Sequence, residues 1–478
     1  MSETTSLLSG QTTTNNKDNT SDSSPLTTTT ISSSLLWTTN VASLLSVFLF
    51  SGIIFGWAPL ELMLAREGQY DEFCVDETEE KMCPEQSIRL QRLFTLAQFL
   101  LNFVSLPIGY MLDRIPKGTY FGITAVFQVT GLVVFALSDS KTFDYFLVGY
   151  GLMALGGCMT MLGAFPASFL LPKYQLGILA MISCLFDASS AVFFFFHRLN
   201  LSKFELSRGM MFVLLAHIAI VVYGTLAICW TLLEHQNWKD VIMAQEEQKQ
   251  QQQDIEDKEK SNNNELTENV NNNNDNSIIG LSVWKQIQTP EFMLVLGFSA
   301  IHILRCNYYI MTIDDFLRFS LGDKNDHYAN VFSYVLPSGI IFVPFIEQTL
   351  KRAGISNTLY LTNFLGILFG ILGLIPSLKL QVVTFSVFTC FRAYLYSTVN
   401  AFIALHFGVE TMGRIIGCAF TAGAITSLLQ YPAAIYSSSD SNNWFRVNEM
   451  FLAIGIFPIL QVWYYNYSKQ NKKSSIGV

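Results

Sequence analysis

The sequence predicts an all-α polytopic membrane protein, with twelve transmembrane helices arranged as two six-helix bundles. Three observations carry that expectation. Half of the 478 residues are hydrophobic and only 14% are charged, and the mean hydropathy is +0.34, too apolar for a soluble chain of this length. Apolar runs of the roughly 20 residues that a bilayer core demands recur along the chain, separated by short polar breaks. One long polar interval, 234–285, leaves six runs on either side.

Residues 1–35 are polar, rich in Ser, Thr and Asn, and read as a disordered cytosolic N-terminus. No cleavable signal peptide is expected, because the first apolar run is long enough to stay as a span. Within this segment "ETTSLL" places Glu3 four residues before the Leu7–Leu8 pair, the pattern of a sorting signal read by an endosomal or lysosomal adaptor. The first bundle, 36–233, holds runs at 37–62, 88–112, 119–137, 143–165, 175–197 and 209–233. The interval 234–285 contains "EEQKQQQQDIEDKEKSNNNELTENVNNNNDN", with too little apolar content to bury a core, and reads as a disordered cytosolic linker. The second bundle, 286–467, holds runs at 291–313, 328–347, 357–376, 380–407, 412–436 and 446–467, before a cytosolic tail at 468–478.

Orientation follows from Lys and Arg in short loops. A cytosolic N-terminus places Arg114, Lys117, Lys173, Lys351, Arg352 and Arg414 inside, together with Lys469, Lys472 and Lys473. The acidic loop between Cys74 and Cys83 then faces out, as does "NLS" at Asn200, an N-glycosylation acceptor meaningful only on that side. Lys141, Arg198, Lys203 and Arg208 run against the rule. A Cys74–Cys83 disulfide fits an oxidising exterior or lumen, whereas the other six cysteines fall in apolar runs and read as small core residues. The host membrane is expected to be the plasma membrane or an endolysosomal or vacuolar one.

The formal charge of −8 resides largely in one outer loop and the linker, and no basic face for nucleic acid is present. There is no phosphate-cradling loop, metal-ligand spacing or nucleophile elbow. Neither a cofactor nor a metal is therefore expected, and an ATP-driven pump or a membrane enzyme is disfavoured. The implied partners are the lipid bilayer and a small-molecule substrate.

After the second run the chain reads "LPIGYMLDRIPKG", with Gly109, Asp113 four residues later, then Arg114 and Lys117. This resembles the cytosolic loop signature of the major facilitator superfamily, with Pro116 where a second glycine is usual. Gly109 permits close backbone approach, and Asp113 at a membrane edge suits the positive N-terminus of a facing helix. The resemblance implies that this helix is the eleventh span, which begins near "TMGRIIG" with Gly413 and Gly417 in small-xxx-small spacing. These five residues, Gly109, Asp113, Arg114, Gly413 and Gly417, form the expected conformational gate. "VPFIEQTLKRAG" in the second half, with Glu347 before Lys351 and Arg352, is a degenerate echo expected of repeated halves. A narrower resemblance rests on "FGWAPLELMLAREGQYDEFC", "LFTLAQFLLNFVSLPIGYMLDR" and "DASSAVF" in that order. These segments are similar to the large neutral amino acid facilitators, solute carrier family forty-three, and their fungal and protist relatives. That resemblance implies facilitated transport of neutral amino acids.

The candidate binding residues begin with Asp187, the one charge between Gln175 and Phe196. An ionisable group inside a span usually faces the bundle interior or a watery cavity. Ser190 and Ala191 share its helix face and leave room beside it. Arg305 and Arg392 are the intramembrane cations able to answer it. In one arrangement Asp187 holds a substrate ammonium, an arginine holds a carboxylate, and Trp57, Tyr308 and Tyr396 form an apolar pocket. In another, Asp187 pairs with an arginine across the halves and stabilises one conformation. A third reading has the carboxylate couple transport to protons. His302, one turn from Arg305, and His217, His406, Asn307, Asn400 and Gln430 read mainly as interhelical hydrogen-bonding groups. A non-transporting sensor or scaffold on the same fold is the alternative from another class.

Overall fold

The computed structural model describes residues 31–74, 84–200, 207–241, 278–323, 327–440 and 442–476. Glu3, Leu7, Leu8, Cys83, most of the linker and the Ser of the Asn200 acceptor motif lie outside the described residues. Apart from an isolated bridge between Asp139 and Phe143, the described elements are helical.

The first half contributes α1 (Ser33–Phe55), α2 (Arg89–Phe103 continued by Ser105–Arg114), α3 (Lys117–Leu137), α4 (Phe146–Leu170), α5 (Pro172–Asn200) and α6 (Arg208–His235). The second contributes α7 (Pro290–Ser320), then α8 and α9 within His327–Gly373. It ends with α10 (Leu378–Phe407), α11 (Met412–Ser437) and α12 (Asn443–Tyr467). The 47-residue stretch His327–Gly373 is two spans, because Gly354 sits at φ 77°, outside helical space, and turns the chain back. With α2 counted as one bent span, twelve helical spans result among the described residues.

Each bundle is glued by aromatic side chains from several helices. In the first, the Phe135 ring of α3 lies 5.1, 5.6 and 4.8 Å from those of Phe146, Tyr150 and Phe212. In the second, Tyr309 of α7 meets Phe369 of α9 and Phe388 of α10 at 4.7 and 4.6 Å.

Three boundaries differ from the sequence expectation. The apolar run 37–62 is not one helix: α1 takes a wide π-type turn over Val47–Ser51, stops at Phe55, and gives way to a separate helix Trp57–Arg66. The interval assigned to the linker is ordered at both ends. Trp238 is buried against Trp230 of α6 with ring centroids 5.5 Å apart, and at the other end a short helix, Val283–Ile287, begins within the interval, with Gln286 donating back to the Ile278 carbonyl at 3.2 Å.

The loops at the end opposite Asp113 are neutralised locally, including two of the basic residues that run against the orientation rule. Arg208 binds Glu67 at 2.6 Å and donates to the carbonyls of Phe135 and Ser138. Lys141 binds Asp71 at 2.7 Å. Tyr70 donates to Asp144 at 2.7 Å, and Cys74 is held in a disulfide.

Candidate functional site

α5 and α10 meet where the two bundles face each other. Asp187 projects from α5, and Arg392 from α10 donates through Nε to both carboxylate oxygens, at 3.0 and 2.9 Å. Nη2 adds a 2.8 Å contact to Oδ1. The two side chains are 6% and 3% exposed, so the ion pair is buried. Its surroundings extend the same seam: Asn400 donates to Ser183 at 3.0 Å, again from α10 to α5. α5 is held from behind by α1, where a Cβ on Gly52 or Gly56 would fall 2.0 and 2.4 Å from the carbonyl oxygens of Phe186 and Ser190. Only glycine permits that approach.

The Arg392 Nη1 group is buried without a partner, and Arg392 lines a cavity between the bundles with about 450 Å³ of empty space, its open mouth included. Phe55 and Phe186 wall it from the first bundle, and Tyr396 and Phe420 from the second. Asn102 of α2 and Asn307 of α7 supply amides. Asn307 donates to Ser427 at 3.0 Å, which leaves its carbonyl oxygen to accept. The guanidinium itself lies 5.7 and 5.2 Å from the ring centres of Phe55 and Tyr396.

One end of this cavity is shut by α2 against α11. Asp113 accepts from the backbone N–H groups of Gly413 and Arg414 at 3.1 and 3.0 Å, and from Arg414 Nε at 2.7 Å. Thus the carboxylate caps the start of α11, where unpaired N–H groups and the positive helix end favour it. The backbones touch: a Cβ on Gly109 would fall 2.0 Å from the Gly413 carbonyl oxygen, and one on Gly417 2.6 Å from that of Ser105. α8 and α5 repeat the motif around the pseudo-axis, with the Glu347 carboxylate against Gly177. At the opposite end Phe194 of α5 meets Tyr334 of α8 at 5.2 Å.

The structure thus unites Asp187, Arg392 and Tyr396 with the cavity, and Gly109, Asp113, Gly413 and Gly417 with the closed end. Five other residues are placed elsewhere. Arg114 is exposed and lies over the Tyr110 ring of its own helix; the cation on Asp113 is Arg414. Ser190 turns its hydroxyl back to the Asp187 carbonyl at 2.8 Å, the ordinary resting place of a helical serine. Trp57 stacks on Phe94 and tilts against Tyr150 inside the first bundle. Arg305 donates to the Gly366 carbonyl at 2.6 Å and Tyr308 bonds Ser437 at 2.5 Å, both within the second bundle. Helical phase decides this: an arginine three turns before Phe316 on α7 points toward α9 and α12 rather than α5. Asn200 closes α5 at the end opposite Asp113.

Several residues here escape sequence reasoning. Arg414 reads there only as a basic loop residue, although it follows Gly413 directly. Gly52 and Gly56 have small-xxx-small spacing, a usable signal. Phe55, Phe186 and Phe420 are indistinguishable in sequence from lipid-facing phenylalanines.

Comparison with known proteins gives a consistent picture. The sequence profile of the Major Facilitator Superfamily matches residues 39–430. Protein FMP42 of Saccharomyces cerevisiae is 26% identical over 414 residues, covering 77% of this chain and 82% of the yeast protein. Equilibrative nucleobase transporter 1 of Bos taurus is 24% identical, covering 91% and 97%. Large neutral amino acids transporter small subunit 3 of Mus musculus is 32% identical, over 88 residues, 16% of each chain. A crystal structure of a bacterial homologue of the iron transporter ferroportin, in an outward-facing state, superposes with a TM-score of 0.57 at 12% identity. It covers 91% of this chain and 99% of that one, and shares the fold.

Proposed function

The chain belongs to the Major Facilitator Superfamily and is a multi-pass membrane transporter, and from that premise we propose that it carries a small, flat, uncharged solute of the nucleobase class by facilitated, alternating-access transport. The observation that carries this reading is the state of Arg392. Asp187 neutralises its charge, yet Nη1 remains unpartnered beside a cavity walled by aromatic rings. Such a wall offers one strong N–H donor, two amides and several ring faces, with no net charge. A planar heterocycle matches all three: ring nitrogen or carbonyl oxygen to Arg392, edge groups to Asn102 and Asn307, and stacking on Phe55, Phe186, Tyr396 or Phe420. The relative that spans nearly the whole chain carries a nucleobase transporter's name, which supports the same class.

A second reading, neutral amino acid transport, is favoured by the 88-residue match to an amino acid transporter. Arg392 would then take the substrate carboxylate. Asp187 would receive an ammonium only after the pair opens, since both its oxygens are occupied in this conformation.

Alternating access follows from the two-ended geometry. Separation of α2 from α11 and of α5 from α8 at the Asp113 end exposes the cavity on that side, which the charge distribution assigns to the cytosol. Purified protein in liposomes tests the function with tritiated adenine and leucine. Saturable adenine uptake that stops at equal concentrations, unaffected by an imposed proton gradient, is expected. Saturable leucine uptake alone would select the second reading, and acceleration by protons would select coupled transport. No uptake of any solute in a broad panel would favour a sensor or scaffold. An endolysosomal destination through Glu3, Leu7 and Leu8 is tested separately, by whether Leu7→Ala with Leu8→Ala moves the protein to the cell surface. Loss of a glycan in Asn200→Gln tests the assigned outer side.

A further inference from the structure

We propose that α7, α9 and α12 build a second binding site, inside the second bundle and apart from the central cavity, for a small inorganic anion of the halide class. Its centre is Arg305. The side chain is 3% exposed in the middle of α7, and among the described residues no carboxylate pairs with it. Its one close acceptor is the Gly366 carbonyl oxygen, 2.6 Å from Nη2. Nη1 has only His302 Nδ1, at 3.4 Å, and Nε is buried without a partner. An uncompensated guanidinium at this depth is costly unless a counter-charge reaches it.

The surroundings are shaped for the guanidinium rather than left over around it. A Cβ on Gly455 would fall 2.6 Å from Nη1, one on Gly370 3.2 Å from Nη2, and one on Gly366 3.2 Å from Nη1. Three glycines on α9 and α12 thus seat the charge. Beside it runs a crevice of about 340 Å³, open mouth included, from Arg305 and Tyr309 past Gly370 and Leu452 to Gly373 and Asn448. A Cβ on Gly373 would meet nothing within 4 Å. Because α9 ends and α12 begins at the end opposite Asp113, the crevice leads toward that end.

Its lining selects the ligand. Tyr309, one turn on from Arg305, and Asn448 line the same crevice; the Tyr309 hydroxyl and Arg305 Nε are both buried without a partner, so the site holds unspent donors beside one positive charge. Gly366, Gly370 and Gly455 pack directly on the guanidinium, which leaves room beside it for a small ion rather than a lipid headgroup. A cation is repelled, and a neutral guest leaves the guanidinium uncompensated. A monovalent anion satisfies both the charge and the donors.

Thermal unfolding of the purified full-length protein tests this, with sodium chloride or bromide titrated against sodium gluconate at constant ionic strength. The assay contains no transported solute, so its outcome is separate from that of the transport reading. The wild-type midpoint is expected to rise with halide concentration, as for a ligand that binds only the folded state. Arg305→Gln should abolish the rise, and Tyr309→Phe should weaken apparent halide affinity by about tenfold through loss of one charged hydrogen bond. Should Arg305→Gln fail to fold, Tyr309→Phe decides alone. Equal midpoints in chloride and gluconate for the wild type, or a halide shift undiminished in Tyr309→Phe, would overturn the proposal.

Discussion

Asp187 and Arg392 lie 205 positions apart in sequence, yet they join α5 to α10 by three contacts of 2.8 to 3.0 Å across the plane between the bundles. The pair is buried on both sides, so each charge depends on the other. A buried pair adds little stability over an apolar replacement, but removal of one partner alone strands a charge, at about 3–5 kcal/mol.

That asymmetry gives the first prediction. Asp187→Asn and Arg392→Gln should each lower the unfolding midpoint sharply, and the double variant should recover much of the loss. Fluorescence-detected unfolding of the four proteins forms the cycle. Simple additivity of the two single effects would mean that the residues are not coupled. Under the proposed function, in which the unpartnered Arg392 Nη1 donates to the solute, uptake should fall in both single variants and in the double variant too.

The second prediction concerns the closed end. Gly109→Val places side-chain atoms where the Gly413 carbonyl oxygen now sits, 2.0 Å from the site of a Cβ, so α2 and α11 cannot close. Cys158 lines the central cavity and reports the change. Its labelling by a membrane-impermeant maleimide from the Asp113 side should be slow in the wild type and much faster in Gly109→Val. Adenine should slow the labelling. An unchanged rate would show that this contact does not control access.

How much of this is legible in the sequence varies with the physics involved. The twelve spans follow from bilayer thickness and apolar run length, and the capped α11 follows from Asp113 and the glycines, all local or motif-like signals. The sequence leaves the Asp187–Arg392 contact as one of two arginine pairings, because composition reveals a buried charge but not its rotational phase. Arg305 stands apart from Asp187 for that reason: the rotational phase of α7 turns it to Gly366 of α9. The break of α1 before Trp57 is not legible from run length, because apolar residues continue on both sides of Gly52 and Gly56.

A third prediction separates buried from exposed ion pairs in the outer loops. Arg208 is 7% exposed and Glu67 27%, so Glu67→Gln should destabilise the protein by about 1–3 kcal/mol, partly offset by the carbonyls that Arg208 keeps. Lys141 and Asp71 are about half exposed, and Lys141→Ala should leave the unfolding midpoint unchanged. Equal losses in the two variants would contradict the difference in burial.

The fourth prediction is a pH effect at Tyr70, in the loop before α2. Burial is the main force that pushes its hydroxyl well above the ordinary tyrosine range, followed by the bond it donates to Asp144 and the nearby charges of Asp144 and Glu72. The folded state therefore holds this proton more tightly than the unfolded chain. That contribution is complete below the unfolded value of about 10 and erodes as pH rises past it, where only the unfolded chain ionises. At pH 8, Tyr70→Phe should lose about 1 kcal/mol with its hydrogen bond. Above pH 10 the wild type should lose stability faster than Tyr70→Phe, so the gap between them narrows. Unfolding midpoints from pH 8 to about pH 11 measure this, and parallel curves would mean that Tyr70 ionises equally in both states.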